Sequence, residues 1–365
     1  MLNAKSSPGH SPLASHPGQP SIRVCIDRGG TFTDCVGIFP VEPTAEHPDG
    51  ERVVVVKLLS EDPGHYADAP REGIRRILEA ATGKSHLRDE PLDTSNLASI
   101  RMGTTVATNA LLERKGEPCA LVITRGFRDL LKIGNQARPR IFDLKIAKPD
   151  VLYQSVIQVN ERVTLDDYNI GSHMTPNQPH ADDCVVLGRT GERVRILTAP
   201  DWPDVRRQLQ QAYDGGIRSI AVCLMHSYTF TANEEEVGRI ARDIGFSHIT
   251  LSSELVPMVK IVPRAHSATV DAYLTPGIRR YADGFSSGFD SGFSGMRVDF
   301  MQSDGGLAPI NKFSGLRAIL SGPAAGVVGY AVTCYSPNSK VPVIGFDMGG
   351  TSTDVSRFDG RFDHV

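Results

Sequence analysis

One eight-residue motif occurs twice in this chain, and it constrains the fold more than any other feature. The first copy is Asp27-Arg28-Gly29-Gly30-Thr31-Phe32-Thr33-Asp34, and the second is Asp347-Met348-Gly349-Gly350-Thr351-Ser352-Thr353-Asp354; they agree at six of eight positions. Each copy follows a short apolar run and leads into another, which predicts a strand, a glycine turn and a second strand. A single Gly-Gly hairpin is usually only a turn, but two matching copies indicate a shared task.

The residue types in this motif suit a phosphate group. Paired glycines let the backbone approach an anion closely and adopt positive φ, so that successive N–H groups can point at it. Threonine hydroxyls add donors, and the aspartates can hold a hydrated magnesium ion or orient a water molecule. Two such hairpins that face each other across a cleft would clamp the phosphates of a nucleotide. Neither copy has the spacing of a P-loop or of the dinucleotide fingerprint.

Composition narrows the class of protein. The chain has 365 residues and a net charge of −3 without a dense basic block, so nothing indicates binding to nucleic acid or to an acidic membrane. Its six cysteines are scattered and form no Cys-x-x-Cys pair, which favours a reducing, cytosolic compartment. No apolar stretch approaches the ~18 residues that would span a bilayer. Residues 1–20, rich in Ser, Pro, Gly and His, are predicted to be a disordered tail.

From residue 21 onward, apolar strands alternate with amphipathic segments, and this predicts an α/β domain. One helix should begin near Pro70 after a cap at Asp68 and should stop at Gly83. Further on, the pattern predicts a strand over 248–255 and a helix over 266–281 that is interrupted at Pro276. The stretch from Gly171 to Asp183 is expected to be a surface loop. The acidic run 234–236 is better explained as the first turn of a helix than as a metal site.

The order of these features resembles the actin-like ATPases: a glycine hairpin, a long α/β region, a small-residue helix over 322–331 and a second glycine hairpin. Within that superfamily the chain resembles the hydantoinase/oxoprolinase family, and in particular its ATP-dependent oxoprolinase branch. An arginine at position 28, where hydantoinases tend to carry an apolar residue, favours that branch. The resemblance rests on the two motifs and on four further segments: Lys57–Pro63, Tyr66–Pro70, Arg101–Gly116 and Met301–Leu307.

The resemblance implies an α/β fold of actin-like (ribonuclease H-like) lobes, each carrying a phosphate-binding hairpin, with the second lobe incomplete. It implies a family N-terminal domain over 21–245 and the start of a second family domain over 246–365. The implied reaction opens the lactam of 5-oxo-L-proline to L-glutamate and is coupled to ATP hydrolysis. ATP and Mg²⁺ are the implied cofactors, K⁺ stays open, and the full-length enzyme is expected to be a cytosolic homodimer.

The same resemblance assigns roles to the motif residues. Asp27 and Asp347 are expected to hold magnesium-bound water or to orient the nucleophile. Asp34 and Asp354 could share that role or cap the turns, and both alternatives stay open. The phosphate contacts are expected to come from eight residues, namely Gly29, Gly30, Thr31 and Thr33 in the first hairpin and Gly349, Gly350, Thr351 and Thr353 in the second.

Several other polar residues are weaker candidates. The segment Gly103-Thr104-Thr105 with Asn109 could form an anion site at a helix N-terminus or simply cap that helix. An arginine could meet the substrate carboxylate, and a histidine could be catalytic or structural. These candidates are Arg125, Arg138 and Arg264 for the carboxylate, and His226 and His266 for catalysis.

The family pattern also raises a question about activity. Family members carry several hundred residues after the second hairpin, so residues 1–365 alone are expected not to turn over 5-oxoproline, and to expose apolar strand edges. The chain is therefore interpreted as the ATP-binding part of a 5-oxoprolinase. A non-catalytic remnant, another ATP-dependent cyclic amidase such as a hydantoinase, and a small-molecule kinase on the same scaffold stay open as alternatives.

Overall fold

A computed structural model describes residues 21–88, 90–135, 142–145, 148–166, 184–350 and 352–362. The predicted tail, the predicted loop 171–183, Arg138 and Thr351 lie outside these residues. Among the described helices, none has the length and apolarity needed to cross a membrane.

Strands and helices alternate along the chain. The strands are β1 (Ile22–Arg28), β2 (Phe32–Pro40), β3 (Glu51–Leu59), β4 (Leu97–Thr104), β5 (Cys119–Thr124), β6 (Ser155–Val159), β7 (Arg162–Leu165), β8 (Val185–Leu187), β9 (Arg193–Thr198), β10 (Ser219–Cys223), β11 (His248–Leu251), β12 (Arg297–Met301), β13 (Leu307–Pro309), β14 (Val343–Met348) and β15 (Thr353–Phe358). The helices are α1 (Ala69–Thr82), α2 (Val106–Leu112), α3 (Leu130–Ile133), α4 (Trp202–Asp214), α5 (Ala232–Ile244), α6 (Ser252–Leu255), α7 (Ile261–Ser286), α8 (Gly315–Ala318) and α9 (Ser321–Thr333), with a 3₁₀ turn at Ile310–Lys312.

The chain forms two compact units. Unit 1 combines residues 1–115 with 278–365, and unit 2 consists of residues 116–277. The chain therefore leaves unit 1 after α2 and returns to it within α7. This division in space does not follow the division at residue 245 that was expected from the order of the family domains.

Unit 1 is built on a mixed six-stranded sheet in the order β13-β12-β4-β1-β2-β3. Strands β12, β4 and β1 are parallel, whereas β1, β2 and β3 form an antiparallel meander. One face of β1 is buried at Ile22, Val24 and Ile26, and the alternate residues Arg23 and Asp27 are exposed. This period-2 pattern places the core of unit 1 on a single face of β1.

The two glycine motifs form the same hairpin, as their sequences predict. In the first, β1 and β2 are antiparallel with Asp27 opposite Asp34; in the second, β14 and β15 are antiparallel with Asp347 opposite Asp354. Strands β14 and β15 form their own two-stranded sheet. The repeated motif is thus a repeated structure down to its register.

Unit 2 contains a parallel four-stranded sheet in the order β11-β10-β5-β6. Every residue of β5 and β10 is buried, as expected for central strands that helices cover on both faces. Helices α4 and α5 pack onto this core through Leu209 and Val237, among others. A second sheet of this unit has the order β7-β9-β8. The α/β class that the alternation predicted is confirmed, with parallel strands in both units.

Local helix signals were read correctly at α1. The Asp68 carboxylate accepts a hydrogen bond from the Arg71 backbone N–H at 2.9 Å, and Gly83 ends the helix in the left-handed conformation at φ 70°. A side-chain N-cap and an αL glycine satisfy backbone groups that the helix itself leaves free. The acidic run is also at the start of a helix, since Glu234 and Glu235 lie in the first turn of α5.

Two predictions for unit 2 were wrong. The predicted strand over 248–255 ends at Leu251 and gives way to α6. Helix α7 is not interrupted at Pro276 but runs through it. Proline has no N–H to offer the carbonyl four residues earlier, that of Ala272. The Ser219 hydroxyl at the start of β10 donates to this carbonyl at 2.6 Å, so a side chain from the sheet replaces the missing helical hydrogen bond.

The second hairpin exposes apolar side chains, as expected. Ile344, Phe346, Met348 and Val355 are each between 64% and 73% exposed. A hairpin of two strands has little core of its own, so its position depends on what packs against it.

The role of Ser219 can be tested by substitution. We expect Ser219→Ala to lower the free energy of unfolding by about 1–3 kcal/mol, because the buried Ala272 carbonyl would lose its donor. Urea unfolding followed by circular dichroism measures this.

The matched control is Ser247→Ala, since the Ser247 hydroxyl also donates to a carbonyl, that of Arg218, but is exposed. The control should stay within about 0.5 kcal/mol of the parent. Equal effects would contradict the proposed replacement bond.

Candidate active site

The first glycine turn is braced by Ser60, which follows β3. The Ser60 hydroxyl donates to the Gly29 carbonyl at 2.7 Å, and its backbone N–H donates to the Thr31 carbonyl at 2.9 Å. The Thr33 and Ser60 hydroxyls are also 3.0 Å apart. Both side chains are buried. The end of β3 therefore fixes the shape of the turn, a role that the sequence alone did not reveal for Ser60.

The second glycine turn is positioned by α9. The ring of Tyr330 packs so closely on β14 that a Cβ added to Gly345 would lie 2.2 Å from its Cε1 atom. The Tyr330 hydroxyl is 3.1 Å from that of Ser356 on β15. One tyrosine thereby reaches across both strands of the hairpin, and Gly345 leaves the space for it.

The two turns meet inside unit 1. A Cβ added to Gly350 would lie 2.3 Å from the Thr31 hydroxyl oxygen and 3.2 Å from the Thr31 Cβ. The turns therefore face each other, as expected. They are in contact at this point, however, whereas the sequence suggested a gap as wide as a triphosphate.

The reason for glycine in these turns differs from the sequence-based one. Gly29, Gly349 and Gly350 do not adopt the left-handed backbone conformation. Space is short at two of them: a Cβ on Gly29 would lie 3.0 Å from the Phe32 carbonyl oxygen, and a Cβ on Gly350 would meet Thr31. Close approach, not positive φ, explains Gly29 and Gly350.

Hydrogen bonding divides the turn residues into two groups. Gly29 and Gly349 each donate their N–H to the carbonyl three residues later, at 2.9 Å, which closes the turns. In the part of the chain that the structure describes, the N–H groups of Gly30, Thr31 and Gly350 donate to no protein acceptor. Free, clustered backbone donors are what an anion requires.

The threonines of the motif also differ. Thr33 is fully buried and its hydroxyl lies against Ser60, so its expected contact with phosphate does not fit its environment. Thr353, at the same position in the second hairpin, is exposed, and Thr31 is half-buried at the contact between the turns. Thr33 stabilises the turn, whereas Thr31 and Thr353 remain accessible.

Asp27 lies at the centre of the site. Its register partner on β4 is Gly103, and a Cβ added there would be 3.5 Å from the Asp27 Oδ1 atom. Although the carboxylate is accessible to solvent, partial desolvation by the surrounding protein raises its pKa, and the charges of Asp34 and Asp347 raise it further. Lys57 opposes this shift. The effect of Asp347 on Asp27 shows that the two hairpins bring these aspartates into one electrostatic environment.

The acidic residues at the ends of the motifs have other partners. The Asp34 carboxylate accepts from Lys57 Nζ at 2.8 Å in an exposed ion pair. Asp354 lies 3.4 Å from the Ser352 hydroxyl, within its own turn. The first contact ties β2 to β3, and the second is local to the turn.

The segment Gly103-Thr104-Thr105 joins the first hairpin to α9. Thr105 donates through its backbone N–H to the Arg28 carbonyl at 3.1 Å, and Asn109 lies 3.4 Å from the Thr105 hydroxyl. The Ser321 hydroxyl, at the start of α9, donates to the Thr104 carbonyl at 2.7 Å. Helix α2 has only seven residues, and these contacts support its role as a brace between β1, β4 and α9.

Arg264, expected as a ligand of the substrate carboxylate, is fully buried in unit 2. Its guanidinium donates to the Ser252 hydroxyl at 2.8 Å and to the Leu224 carbonyl at 3.0 Å, and it lies 3.7 Å from Glu234. Glu234 in turn accepts from the Leu224 N–H at 2.9 Å. This network connects β10, α5 and α7, so Arg264 serves the core.

The remaining candidates of unit 2 are Arg125, His226 and His266. Arg125 is exposed at the end of β5. Burial, and then the charge of Arg264, lower the pKa of His226, whose backbone has φ 57° and whose Nδ1 finds no partner in the described residues. Burial and Lys148 lower the pKa of His266. In both histidines the surroundings favour the neutral imidazole, which fits a structural role as well as a catalytic one.

Comparison with protein-family models identifies the class. Residues 23–245 match the hydantoinase/oxoprolinase N-terminal region, and residues 264–365 match the hydantoinase/oxoprolinase domain that follows it. Together these two models cover most of the chain. The protein belongs to the hydantoinase/oxoprolinase family.

Individual relatives narrow the comparison. The chain is 53% identical to 5-oxoprolinase from Saccharomyces cerevisiae over 346 residues and 53% identical to 5-oxoprolinase 1 from Arabidopsis thaliana over 348 residues. In both cases 94% of this chain is covered, but only 26% of the relative. The crystal structure of ATP-dependent caprolactamase from Pseudomonas jessenii shares the fold at a TM-score of 0.64 and 22% identity, over 92% of this chain and 43% of that one.

The environment of Asp27 predicts how stability depends on pH. Because the fold raises the pKa of Asp27, folding favours its protonated form. The stabilisation from protonated Asp27 is complete below its ordinary pKa of about 3.8 and is lost as the pH rises through the folded-state pKa. Asp27→Asn should therefore increase the free energy of unfolding at pH 7, by at most about 0.5 kcal/mol because the carboxylate is accessible. The gain should disappear toward pH 4.

The matched control is Asp271→Asn on α7. Burial acts to raise the pKa of Asp271, but hydrogen bonds from His248, Thr275 and Thr250 outweigh it and lower this pKa. Its stabilising contribution is present above the unfolded pKa and is lost as pH falls through the folded one. Asp271→Asn should lower the free energy of unfolding at pH 7 by about 1–3 kcal/mol, less in acid. Urea unfolding at both pH values measures the two variants, and effects of the same sign would contradict the assignment.

Proposed function

We propose that unit 1 binds the phosphates of ATP where its two glycine turns meet and serves ATP-dependent opening of 5-oxo-L-proline to L-glutamate. The observation that carries this proposal is the meeting of the turns. Free N–H groups at Gly30, Thr31 and Gly350 cluster there, beside the carboxylates of Asp27 and Asp347. The substrate is proposed from the 5-oxoprolinases that this chain resembles over 26% of their length.

The strand order supports an actin-like ATPase lobe. Along β3-β2-β1-β4-β12 the sheet runs as an antiparallel meander followed by two parallel strands, the arrangement expected of a ribonuclease H-like core. The repeated hairpin in β14–β15 corresponds to the start of a second such lobe. The similarity to an ATP-dependent caprolactamase concerns the fold.

The donor set fits a magnesium ion. Desolvation raises the pKa of Asp27, and the charges of Asp34 and Asp347 raise it further, so a cation between Asp27 and Asp347 would relieve this repulsion. No cluster of three or more metal-ligating side chains occurs within the described residues, and magnesium with a nucleotide needs only one or two carboxylates plus phosphate and water. When bound, the ion would neutralise charge on the phosphates. Asp27 and Asp347 are the residues proposed to hold it.

The residues of this chain would contribute to the reaction by positioning the phosphoryl group and by stabilising its charge. An amide is a poor electrophile because of its resonance, so a lactam must be activated before water can open it. The N–H donors of Gly30, Thr31 and Gly350 would hold the transferred phosphoryl group from two sides. Thr31 and Thr353 would add hydroxyl donors. Thr33, Ser60 and Tyr330 would keep the turns in place without contacting the nucleotide.

Magnesium-dependent nucleotide binding tests the proposal. We expect ATP to bind more tightly with Mg²⁺ than without it, and Asp27→Asn or Asp347→Asn to remove most of that difference. Without Mg²⁺, both variants should bind ATP at least as well as the parent, since each removes a negative charge near the phosphates. Isothermal titration calorimetry with ATP, with and without Mg²⁺, measures the affinities of the parent and of both variants.

The control for this titration is Asp359→Asn. Asp359 follows β15, at the end of the second hairpin that is remote from the turn, and pairs with Arg357. It should retain the full effect of Mg²⁺. An undiminished effect of Mg²⁺ in both Asp27→Asn and Asp347→Asn would remove these residues from the metal site.

A further inference from the structure

The two glycine motifs differ at a position that the hairpin itself does not explain. Arg28 occupies in the first copy the place that Met348 occupies in the second, and both lie opposite a threonine in the same register. The hairpin therefore forms equally well with an apolar side chain there. A cation at this position needs a reason other than the turn.

Arg28 is held in a defined place. Its guanidinium carbon lies 5.1 Å from the centre of the Tyr281 ring on α7, a cation–π distance. The Tyr281 hydroxyl lies 3.1 Å from the sulfur of Met102 on β4. Burial raises the pKa of Tyr281 above its ordinary value, so the phenol stays neutral. The ring orients the arginine without neutralising its charge.

The charge of Arg28 is not paired. No carboxylate lies within 4.0 Å of its guanidinium in the described part of the chain, and its buried Nε has no hydrogen-bond acceptor there. By contrast, Arg23 on the same strand pairs with Glu51 at 2.6 Å. A partly buried guanidinium with an unused donor is costly unless an anion completes it.

Arg28 lies on the opposite face of the sheet from Asp27, because successive residues of a strand alternate. Asp27 is next to Gly103, whereas Arg28 shares the face of Ile26 and Met102 with Tyr281. The cation is thus next to the turn but not on the side of the carboxylates that would hold a magnesium ion. This placement favours an anion other than the phosphates.

Asp68, the N-cap of α1, lies within electrostatic reach of Arg28. Burial raises the pKa of Asp68, and the charge of Arg28 opposes this rise. The two side chains do not come within the 4.0 Å of an ion pair, so the Arg28 Nε donor stays without an acceptor in the described residues.

We propose that Arg28 binds the carboxylate of the small-molecule substrate, whose lactam ring then lies toward the glycine turn that follows Arg28. This inference rests on the proposed function, since 5-oxo-L-proline carries a carboxylate on its lactam ring. Arg28 would then be a specificity-determining residue: it would distinguish a lactam with a carboxylate from the same lactam without one. A guanidinium suits this task because its planar donors match a carboxylate in pairs.

The test compares two ligands that differ only in the carboxylate, 5-oxo-L-proline and 2-pyrrolidinone. We expect Arg28→Met, which copies the residue of the second hairpin, to weaken binding of 5-oxo-L-proline on the order of tenfold or more. Binding of 2-pyrrolidinone and of ATP with Mg²⁺ should stay unchanged. Ligand-observed NMR titration of the purified chain measures the lactams, and calorimetry measures the nucleotide.

Two further variants complete the design. Arg23→Met removes an arginine from the same strand and should leave all three ligands unaffected. Arg28→Lys keeps the charge without the paired donors and should fall between the parent and Arg28→Met, which also keeps the test usable if Arg28→Met does not fold.

The outcomes separate this inference from the proposed function. If the parent binds ATP with Mg²⁺ but Arg28→Met binds 5-oxo-L-proline as the parent does, the inference is overturned and the phosphate site stands. Loss of ATP binding in Arg28→Met with unchanged 5-oxo-L-proline would assign Arg28 to the phosphates and would also overturn it. If the parent binds neither ligand, the proposed function fails, and this inference fails with it.

Discussion

The close approach of two glycine turns at Gly350 and Thr31 is the constraint on which the site depends. No side chain fits at Gly350, and the turns are held from behind by Ser60 in one hairpin and by Tyr330 packed on Gly345 in the other. This packing brings like-charged carboxylates together, and their charge adds to the desolvation that raises the pKa of Asp27. A site that concentrates negative charge and free N–H donors is suited to a cation and an anion bound together.

Much of this arrangement could be predicted from the sequence because the relevant signals are local. A strand, a glycine turn and a second strand fix the register of a hairpin, so Asp27 faces Asp34 and Asp347 faces Asp354 as the motif implies. The cap at Asp68 and the αL glycine at position 83 are likewise set by neighbours within one turn of α1. The repeat itself predicted that the two hairpins face each other.

The rest could not be predicted because it depends on partners far along the chain. Thr33 is buried only because Ser60 follows the neighbouring strand, and α7 continues through Pro276 because Ser219 supplies a donor to Ala272. Arg264 is enclosed by groups from three other elements, which no pattern around residue 264 reveals. The crowding at Gly29 and Gly350 comes from the Phe32 carbonyl and from Thr31, and the contact with Thr31 in the other hairpin exists only in the folded chain.

Hydrogen exchange tests most directly whether the two hairpins form one phosphate site. The exchange of peptides that contain Gly30 and Gly350 should be measured by mass spectrometry on the purified chain, with and without ATP and Mg²⁺. One shared site predicts that both turns are protected together over the same range of nucleotide concentration, and that Asp27→Asn weakens protection at both. Protection of one turn alone, or no protection of either at nucleotide concentrations that saturate binding, would contradict it.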